Sequence, residues 1–245
     1  LKIEGGIGLI SNRLTLTMPI LKDKLMLIAG GRTGFSDVLF PLLIPRLKNT
    51  RANFFDSTVK LLYLLNSNNQ ITYTNFISND FYQLDLISSV ENIISSSNQY
   101  DFKTRNHTLK WLHTFENSTN LINRFIHSTY TPQNLFPEVD SENIIRFESQ
   151  IQYSSIQSEY SNAKTEDLSY YAGLEVKRYQ INPGTLDPGN GNTINPVSLN
   201  REVGFESSAY FNLEWKPLPR MALSGGLRLT QFSLLGPFDE AQYTP

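Results

Sequence analysis

The sequence contains no cysteine, so it has no disulfide, no thiolate zinc site and no cysteine-ligated iron–sulfur cluster. It also has no run of eighteen apolar residues, which excludes a transmembrane helix. Charge is sparse: 18% of the 245 residues are charged, the formal net charge is −2, and no basic stripe is present. We therefore do not expect nucleic acid as a partner.

Uncharged polar side chains supply most of the polarity of the chain. Hydrophobic residues make up 40% of the sequence, and much of the remainder is serine, threonine, asparagine and glutamine. This composition is typical of β-proteins whose polar face meets a wet interior. The length fits one large domain or two small ones.

Apolar and polar residues alternate with a period of two, which is the pattern of β-strands with two different faces. The clearest example runs from Val203 to Lys216, where Phe211, Leu213 and Trp215 share one face. The whole pattern predicts about ten strands. They lie near Leu9–Met18, Lys24–Arg32, Thr58–Leu65, Gln70–Tyr82, Thr108–Glu116, Leu121–Tyr130, Ile144–Tyr160, Leu168–Gln180, Glu202–Lys216 and Met221–Leu234.

The predicted connections alternate between short and long. Short turns are expected near 21–24, 67–70, 117–120, 161–167 and 217–219, and long loops near 35–53, 84–105, 131–143 and 182–201. A short helix over Phe81–Ser97 is an alternative reading of one of these segments. In an up-and-down antiparallel sheet, alternate connections lie at opposite ends of the strands. One end of this sheet is therefore expected to carry only short turns and the other end the long loops.

This asymmetry is typical of transmembrane β-barrels, which have short periplasmic turns and long extracellular loops. Alternation alone also fits a soluble barrel with an apolar core. Aromatic residues near the short turns favour the membrane barrel, because they fit an interfacial girdle. These residues are Tyr63, Tyr73, Phe115, Tyr160, Tyr170 and Trp215.

Two segments resemble the first hairpins of a TonB-dependent receptor barrel of the Bacteroidetes type. The first, Gly8–Asp37, contains Ser-x-Arg at Ser11–Arg13 and the turn Pro-Ile-x-Lys-Asp-Lys at Pro19–Lys24. The second is Phe54–Tyr82. Later strands of the family are similar to the segments around Leu109-Lys110-Trp111, Tyr171-Ala172-Gly173-Leu174-Glu175 and Gly225-Gly226-Leu227-Arg228. The resemblance covers nearly the whole chain.

The resemblance implies an all-β fold, an antiparallel up-and-down transmembrane β-barrel in the bacterial outer membrane. Such a receptor imports a nutrient with energy from the TonB complex, which contacts a plug domain inside the barrel. Plugged barrels have about 22 strands. We therefore expect this chain to be one barrel segment, residues 1–245, that supplies about ten strands and lacks the plug. Residues 1–7 would be the link from that plug.

The inward-facing residues would form a hydrated wall that contacts the plug or the passing ligand. The candidates are Arg13, Arg32, Arg146, Glu148, Glu175, Lys177, Glu206, Glu214 and Arg228. They would act through charge and hydrogen bonds. We expect no catalytic residue, no cofactor and no metal, and we expect membrane lipid as a partner.

Catalytic and metal-binding patterns give little support to an enzyme. The sequence shows no nucleophile elbow and no Ser/His/Asp order. His113 and His127 are predicted on strands joined by one short turn, so a cross-strand approach is open to them, but solvated sheet histidines are the default interpretation.

Two alternatives stay open on the sequence alone. The barrel could be a scaffold for a surface lipoprotein complex that transports nothing, or the chain could be a soluble carbohydrate-binding β-protein.

Overall fold

The computed structural model describes residues 1–35, 44, 50–84, 88–90, 93–116, 119–139, 142–162, 167–191, 194–218 and 220–236. Within these ranges the regular structure is all β. The strands are β1 (Lys2–Ile7), β2 (Ser11–Leu21), β3 (Leu25–Phe35), β4 (Arg51–Asn66), β5 (Asn69–Leu84), β6 (Ser88–Val90), β7 (Ile93–Ser95), β8 (Asn98–Thr114), β9 (Asn120–Pro137), β10 (Ile144–Asn162), β11 (Leu168–Asp187), β12 (Val197–Ser198), β13 (Glu202–Leu218) and β14 (Met221–Leu235). The described residues include no helix that is long and apolar enough to cross a membrane.

Twelve strands form one antiparallel sheet in which sequence neighbours pair with each other. The order is β1-β2-β3-β4-β5-β8-β9-β10-β11-β13-β14, and β12 pairs with β11. The small strands β6 and β7 form a separate hairpin. This is the up-and-down antiparallel arrangement that the alternation predicts, and all ten expected strands are present.

The ten long strands alternate in direction, so their connections fall at two ends of the sheet. The chain turns quickly after β2, β4, β8, β10 and β13, and we call this side the short-turn end. Longer connections follow β3, β5 and β11, and we call that side the loop end.

The sheet is a single layer and has almost no core. Ile145 is the one buried large hydrophobic side chain among the described residues. By contrast, Ile156 is 63% exposed, Leu174 65% and Leu227 81%. A soluble sheet normally covers its apolar side with a second layer. Among the described residues, no second layer covers the apolar side of this sheet.

The pairing register assigns every strand residue to one of two faces, because directly paired residues share a face. From Arg32 the partners run through Asp56, Ser78, Thr104 and Tyr130 to Ile151 and Ile181. Alternation along β11 adds Glu175 and Lys177 to the same side. We call this side the polar face and the opposite side the apolar face.

The six aromatic residues expected near the short turns all lie on the apolar face, and several of their rings touch. The ring centroids of Phe115 and Tyr160 are 6.3 Å apart, and those of Tyr160 and Tyr170 are also 6.3 Å apart. His113 extends the chain of rings, with its centroid 4.4 Å from that of Phe115. The rings therefore follow the short-turn end across four strands.

Most of the first seven residues, which lie outside the ten predicted strands, belong to a further strand. Residues Lys2–Ile7 form strand β1, which pairs with β2 from Lys2 opposite Thr17 to Ile7 opposite Asn12. The sequence obscures this strand because Gly5 and Gly6 interrupt the alternation. At Gly6 an added Cβ would lie 3.3 Å from Nε of Arg13, a tight contact that this flexible side chain would have to relieve.

The long loops expected at 35–53, 84–105, 131–143 and 182–201 are shorter than predicted because the strands extend into them. β4 begins at Arg51, β8 begins at Asn98, β9 continues to Pro137 and β11 continues to Asp187. In most of these extensions the apolar–polar alternation that predicts a strand is absent, because polar residues dominate and the apolar residues Phe54–Phe55 and Leu135–Phe136 are adjacent in sequence. Backbone pairing forms the extensions nevertheless, since it does not depend on side-chain polarity.

The alternative helix over 81–97 is wrong for the described part of that segment. Residues up to Leu84 belong to β5, and β6 and β7 pair through Ser88–Ser95, Ser89–Ile94 and Val90–Ile93. Residues 85–87 and 91–92 lie outside the described residues, as do parts of the expected turns and loops (36–43, 45–49, 117–118, 140–141, 163–166, 192–193 and 219).

A glycine contact tests the packing of the polar face. Gly173 lies opposite Tyr210, and an added Cβ would overlap the tyrosine ring. We expect Gly173→Ala to lower the free energy of unfolding by about 1–3 kcal/mol, the usual cost of overpacking.

Gly225→Ala is the matched control, because nothing lies within 4 Å of the position of its added Cβ. Its effect should stay within about 1 kcal/mol and favour the folded state. Urea unfolding of both variants, refolded in the same detergent, measures the difference. Equal destabilisation by the two substitutions would contradict this packing.

Candidate functional site

The polar face carries a network of charged side chains that spans β11, β13 and β14. Lys177 Nζ lies 3.2 Å from Glu175 Oε2 and 3.0 Å from Glu206 Oε1. Arg228 Nη2 lies 3.0 Å from the same Glu175 oxygen and donates a hydrogen bond of 2.7 Å to Ser208 Oγ. We call Glu175, Lys177, Glu206 and Arg228 the charge network.

Tyr210 connects the charge network to strands β9 and β10. Its hydroxyl donates to Glu159 Oε2 at 2.7 Å and accepts from Gln157 Nε2 at 2.8 Å. Arg124 in turn donates to Gln157 Oε1 at 2.8 Å, and the Arg228 guanidinium lies 5.4 Å from the Tyr210 ring centroid. The result is a continuous layer of hydrogen bonds, ion pairs and one cation–π contact across five strands, β9, β10, β11, β13 and β14.

A second group of charges lies near the other edge of the sheet. Arg13 and Arg32 occupy directly opposite positions on β2 and β3, and Arg32 pairs with Asp56 on β4. The Arg32 guanidinium also lies 5.3 Å from the Phe54 ring centroid. Arg13 has no ion-pair partner among the described residues, so the two opposed arginines carry a local excess of positive charge that would favour an anion.

The nine predicted site residues do not share one face. Arg13, Arg32, Glu175, Lys177, Glu206, Glu214 and Arg228 lie on the polar face by register. Arg146 and Glu148 pair with Leu135 and Gln133, which alternate with the polar-face residue Tyr130 on β9. These two therefore project from the opposite side, near the loop end. There Glu148 accepts a hydrogen bond from Gln133.

An aromatic row on the polar face was missed by the sequence reasoning. Tyr82, Tyr100, Phe102 and Tyr130 stack in sequence, with centroid separations of 6.4, 6.3 and 6.4 Å and interplanar angles of 16–28°. We call these four residues the aromatic row. It lies at the loop end of β5, β8 and β9. Tyr82 and Tyr130 end predicted strands, but Tyr100 and Phe102 fall in the loop predicted at 84–105, so the alignment of the four rings could not be predicted.

The arrangement is suited to binding through charge, hydrogen bonds and aromatic surface. The described residues contain no group of three His, Cys, Asp or Glu side chains that could hold a metal ion. The alternative in which His113 approaches His127 across the strands is not formed, because His113 lies opposite Leu121. His107 is the residue directly opposite His127.

Comparison with known proteins gives a match in structure and none in sequence. No protein-family model matches the chain, and no curated protein matches it. Among the solved structures that resemble it are two outer-membrane receptor structures. One is Pseudomonas aeruginosa FpvA bound to a heterologous pyoverdine and iron, with a TM-score of 0.68 and 11% identity. The other is the ferripyoverdine receptor of the outer membrane of the same organism, bound to ferripyoverdine, with a TM-score of 0.63 and 10% identity.

In both cases the alignment covers 93% of this chain and 36% of the other chain. The chain thus spans about a third of the length of these receptors. At this identity the likeness shows the fold. The sheet has the antiparallel fold of a TonB-dependent receptor barrel, as the sequence resemblance implied.

The charge network can be tested with a double-mutant cycle on Glu175→Gln and Arg228→Gln. We expect a coupling energy of about 1 kcal/mol, because the Glu175 side chain is only 14% exposed although the Arg228 side chain is 44% exposed.

The pair Glu214–Lys216 is the control, with side chains 46% and 51% exposed and a separation of 3.0 Å. Its coupling should stay below about 0.5 kcal/mol. Both cycles are measured by urea unfolding at low salt. Equal coupling in the two pairs would show that the network contributes no more than surface charges do.

Proposed function

We propose that this chain forms part of the wall of an outer-membrane, TonB-dependent receptor that binds a nutrient outside the cell and imports it. The observation that carries the proposal is the two-faced sheet, in which an apolar face without cover lies behind a hydrogen-bonded polar face. The fold likeness to outer-membrane receptors supports it. The Bacteroidetes subtype is a further part of the proposal and rests on the hairpin segments at Gly8–Asp37 and Phe54–Tyr82.

The apolar face has the dimensions of a membrane-spanning band. At one border lie the aromatic rings of the short-turn end. At the other border the face turns polar, at positions seven to ten residues from the short-turn ends of their strands. The polar residues are His107, His127, Ser154, Arg178 and Gln231. With a rise of about 3.3 Å per residue and a tilt of about 40°, this span is about 18–25 Å, which reaches the height of the apolar band of an outer-membrane barrel.

The polar face would then line the interior, where paired charges remain hydrated. The charge network contains two carboxylates and two cationic side chains. It would therefore present charges of both signs, with no net charge, to a plug domain or a passing ligand. The plug would carry the contact to the TonB complex. We propose that these residues act by binding and not by catalysis.

The aromatic row is the best candidate for first contact with the ligand. It lies at the loop end, which in this orientation faces the outside of the cell, and it offers four rings side by side. Planar conjugated groups and sugar rings both pack on such a surface. The similar receptors bind ferripyoverdine, so a ferric chelate is the ligand class to test first.

Membrane exposure of the apolar face is tested by Leu174→Arg. Leu174 lies near the middle of the proposed band, so we expect a loss of about 2–4 kcal/mol in folding free energy in phospholipid vesicles.

The matched control is Gln180→Arg, on the same strand and the same face but beyond the polar border, where the cost should be about 0–1 kcal/mol. Urea titration of vesicle-inserted protein measures both. If Leu174→Arg is as harmless as Gln180→Arg, the apolar face does not meet lipid.

Uptake is tested in the host with the full-length gene deleted and restored. We expect the deletion to abolish import of one ferric chelate or oligosaccharide, and removal of TonB to have the same effect. Uptake that continues without TonB would contradict the proposed energy source.

The aromatic row is tested by ligand binding. Tyr100→Ala with Phe102→Ala should weaken binding by about tenfold, while Leu109→Ala on the other face of β8 should not.

A further inference from the structure

The apolar face changes character between two adjacent rows of residues on β8 to β11. The lower row, Leu109, Phe125, Ile156 and Val176, is apolar, and its members are 40–63% exposed. The next row on the same face, towards the loop end, is His107, His127, Ser154 and Arg178. One step along each strand therefore exchanges hydrocarbon for cationic and polar groups.

Basic side chains gather at this border without acidic partners. Arg105 and Arg178 are exposed, and among the described residues neither has an ion pair or a side-chain hydrogen bond. Their register neighbours are uncharged: Ile77 and Thr129 flank Arg105, and Ser154 and Phe205 flank Arg178. Two unpaired guanidinium groups thus face outward beside an apolar surface.

Two histidines lie between these arginines and are oriented by their neighbours. His107 Nδ1 lies 2.9 Å from Tyr73 Oη and 3.2 Å from Asn75 Nδ2, and His127 Nδ1 lies 2.9 Å from Ser154 Oγ. Within the described residues, these contacts leave the Nε2 edge of each ring without a partner. We call Arg105, His107, His127 and Arg178 the outer basic patch.

We propose that the outer basic patch binds the phosphate of an anionic lipid in the leaflet on the loop side. The inference rests on the proposed membrane-spanning function. Guanidinium groups hydrogen-bond phosphate oxygens in a bidentate manner, and the histidine Nε2–H groups add neutral donors. The lipid's acyl chains would cover the exposed row of Leu109, Phe125, Ile156 and Val176 directly below.

A lipid fits this surface better than a free anion or a protein. The occupant must present negative charge at the border and hydrocarbon immediately beneath it, over the height of the apolar band. Basic residues at a membrane surface each contribute about 1 kcal/mol to binding of anionic lipid. Loss of both arginines should therefore weaken binding roughly 30-fold.

The test uses the intact protein, purified in a neutral detergent and titrated with phosphatidic acid or phosphatidylcholine while bound lipid is counted by native mass spectrometry. We expect tight retention of phosphatidic acid and not of phosphatidylcholine. Arg105→Gln with Arg178→Gln should reduce that retention roughly 30-fold, whereas Lys60→Gln with Lys110→Gln, which removes the same charge from the polar face, should not. The variant Arg105→Lys with Arg178→Lys should keep most of the binding.

Three results would overturn the proposal. Equal retention by the wild type and the Gln variant would show that the patch does not hold the lipid. Displacement by inorganic phosphate at the same concentration would indicate a free-anion site. A dimer that dissociates in the Gln variant without lipid would indicate an interface between copies.

Folding and function are separated by two further readouts. If the Gln variant does not fold, the wild-type preference for phosphatidic acid and the inorganic phosphate competition decide the question. Membrane insertion of the wild type is measured in the same preparations. Insertion with no lipid preference refutes the lipid site alone, whereas failure to insert refutes the proposed function itself.

Discussion

Backbone pairing across one continuous antiparallel sheet is the constraint on which the other features depend. Each strand along the main path from β1 to β14 is hydrogen-bonded to its neighbours in that order. The face on which a side chain lies is therefore fixed by the pairing register and by whether its position along the strand is odd or even. A slip of one residue in any pairing would exchange the two faces of every strand beyond it. In a hydrocarbon environment such pairing is obligatory, because each unpaired backbone N–H or C=O costs several kcal/mol.

The two faces then divide the functions that we propose. The apolar face leaves Leu174 and Leu227 largely exposed, which is costly in water and favourable in lipid. On the polar face Lys177 is shared between two carboxylates, and Tyr210 joins β13 to β10 through Gln157 and Glu159. The borders of the band are marked by aromatic rings at one end and by arginines at the other.

Sequence reasoning recovered what depends on alternation. It identified all ten long strands and their antiparallel order. It failed where alternation is lost or where local signals mislead. β1 is interrupted by glycines, and the loop-end half of β9 contains Pro132 and Pro137, which usually mark loops. Arg146 and Glu148 lie on the opposite face from the other seven candidates, which the sequence does not indicate because the residues around them show no clear apolar–polar alternation.

The aromatic row illustrates a second limit. Its four members come from three strands and become neighbours only through the register of β5 with β8 and β8 with β9. Nothing within a single segment distinguishes Tyr100 and Phe102 from ordinary strand aromatics. The outer basic patch depends on the same cross-strand information, since Arg105 and Arg178 are three strands apart.

The central claim is that one face of this sheet meets lipid and the other meets water, and a cysteine scan along β11 tests it most directly. The described chain has no cysteine of its own, so single cysteines from Ser169 to Ile181 can each carry a nitroxide in vesicle-inserted protein. We predict that labels at 172, 174 and 176 are accessible to oxygen and protected from a water-soluble nickel chelate, and that labels at 171, 175 and 177 show the reverse. Uniform access of the nickel chelate to both sets would contradict the account.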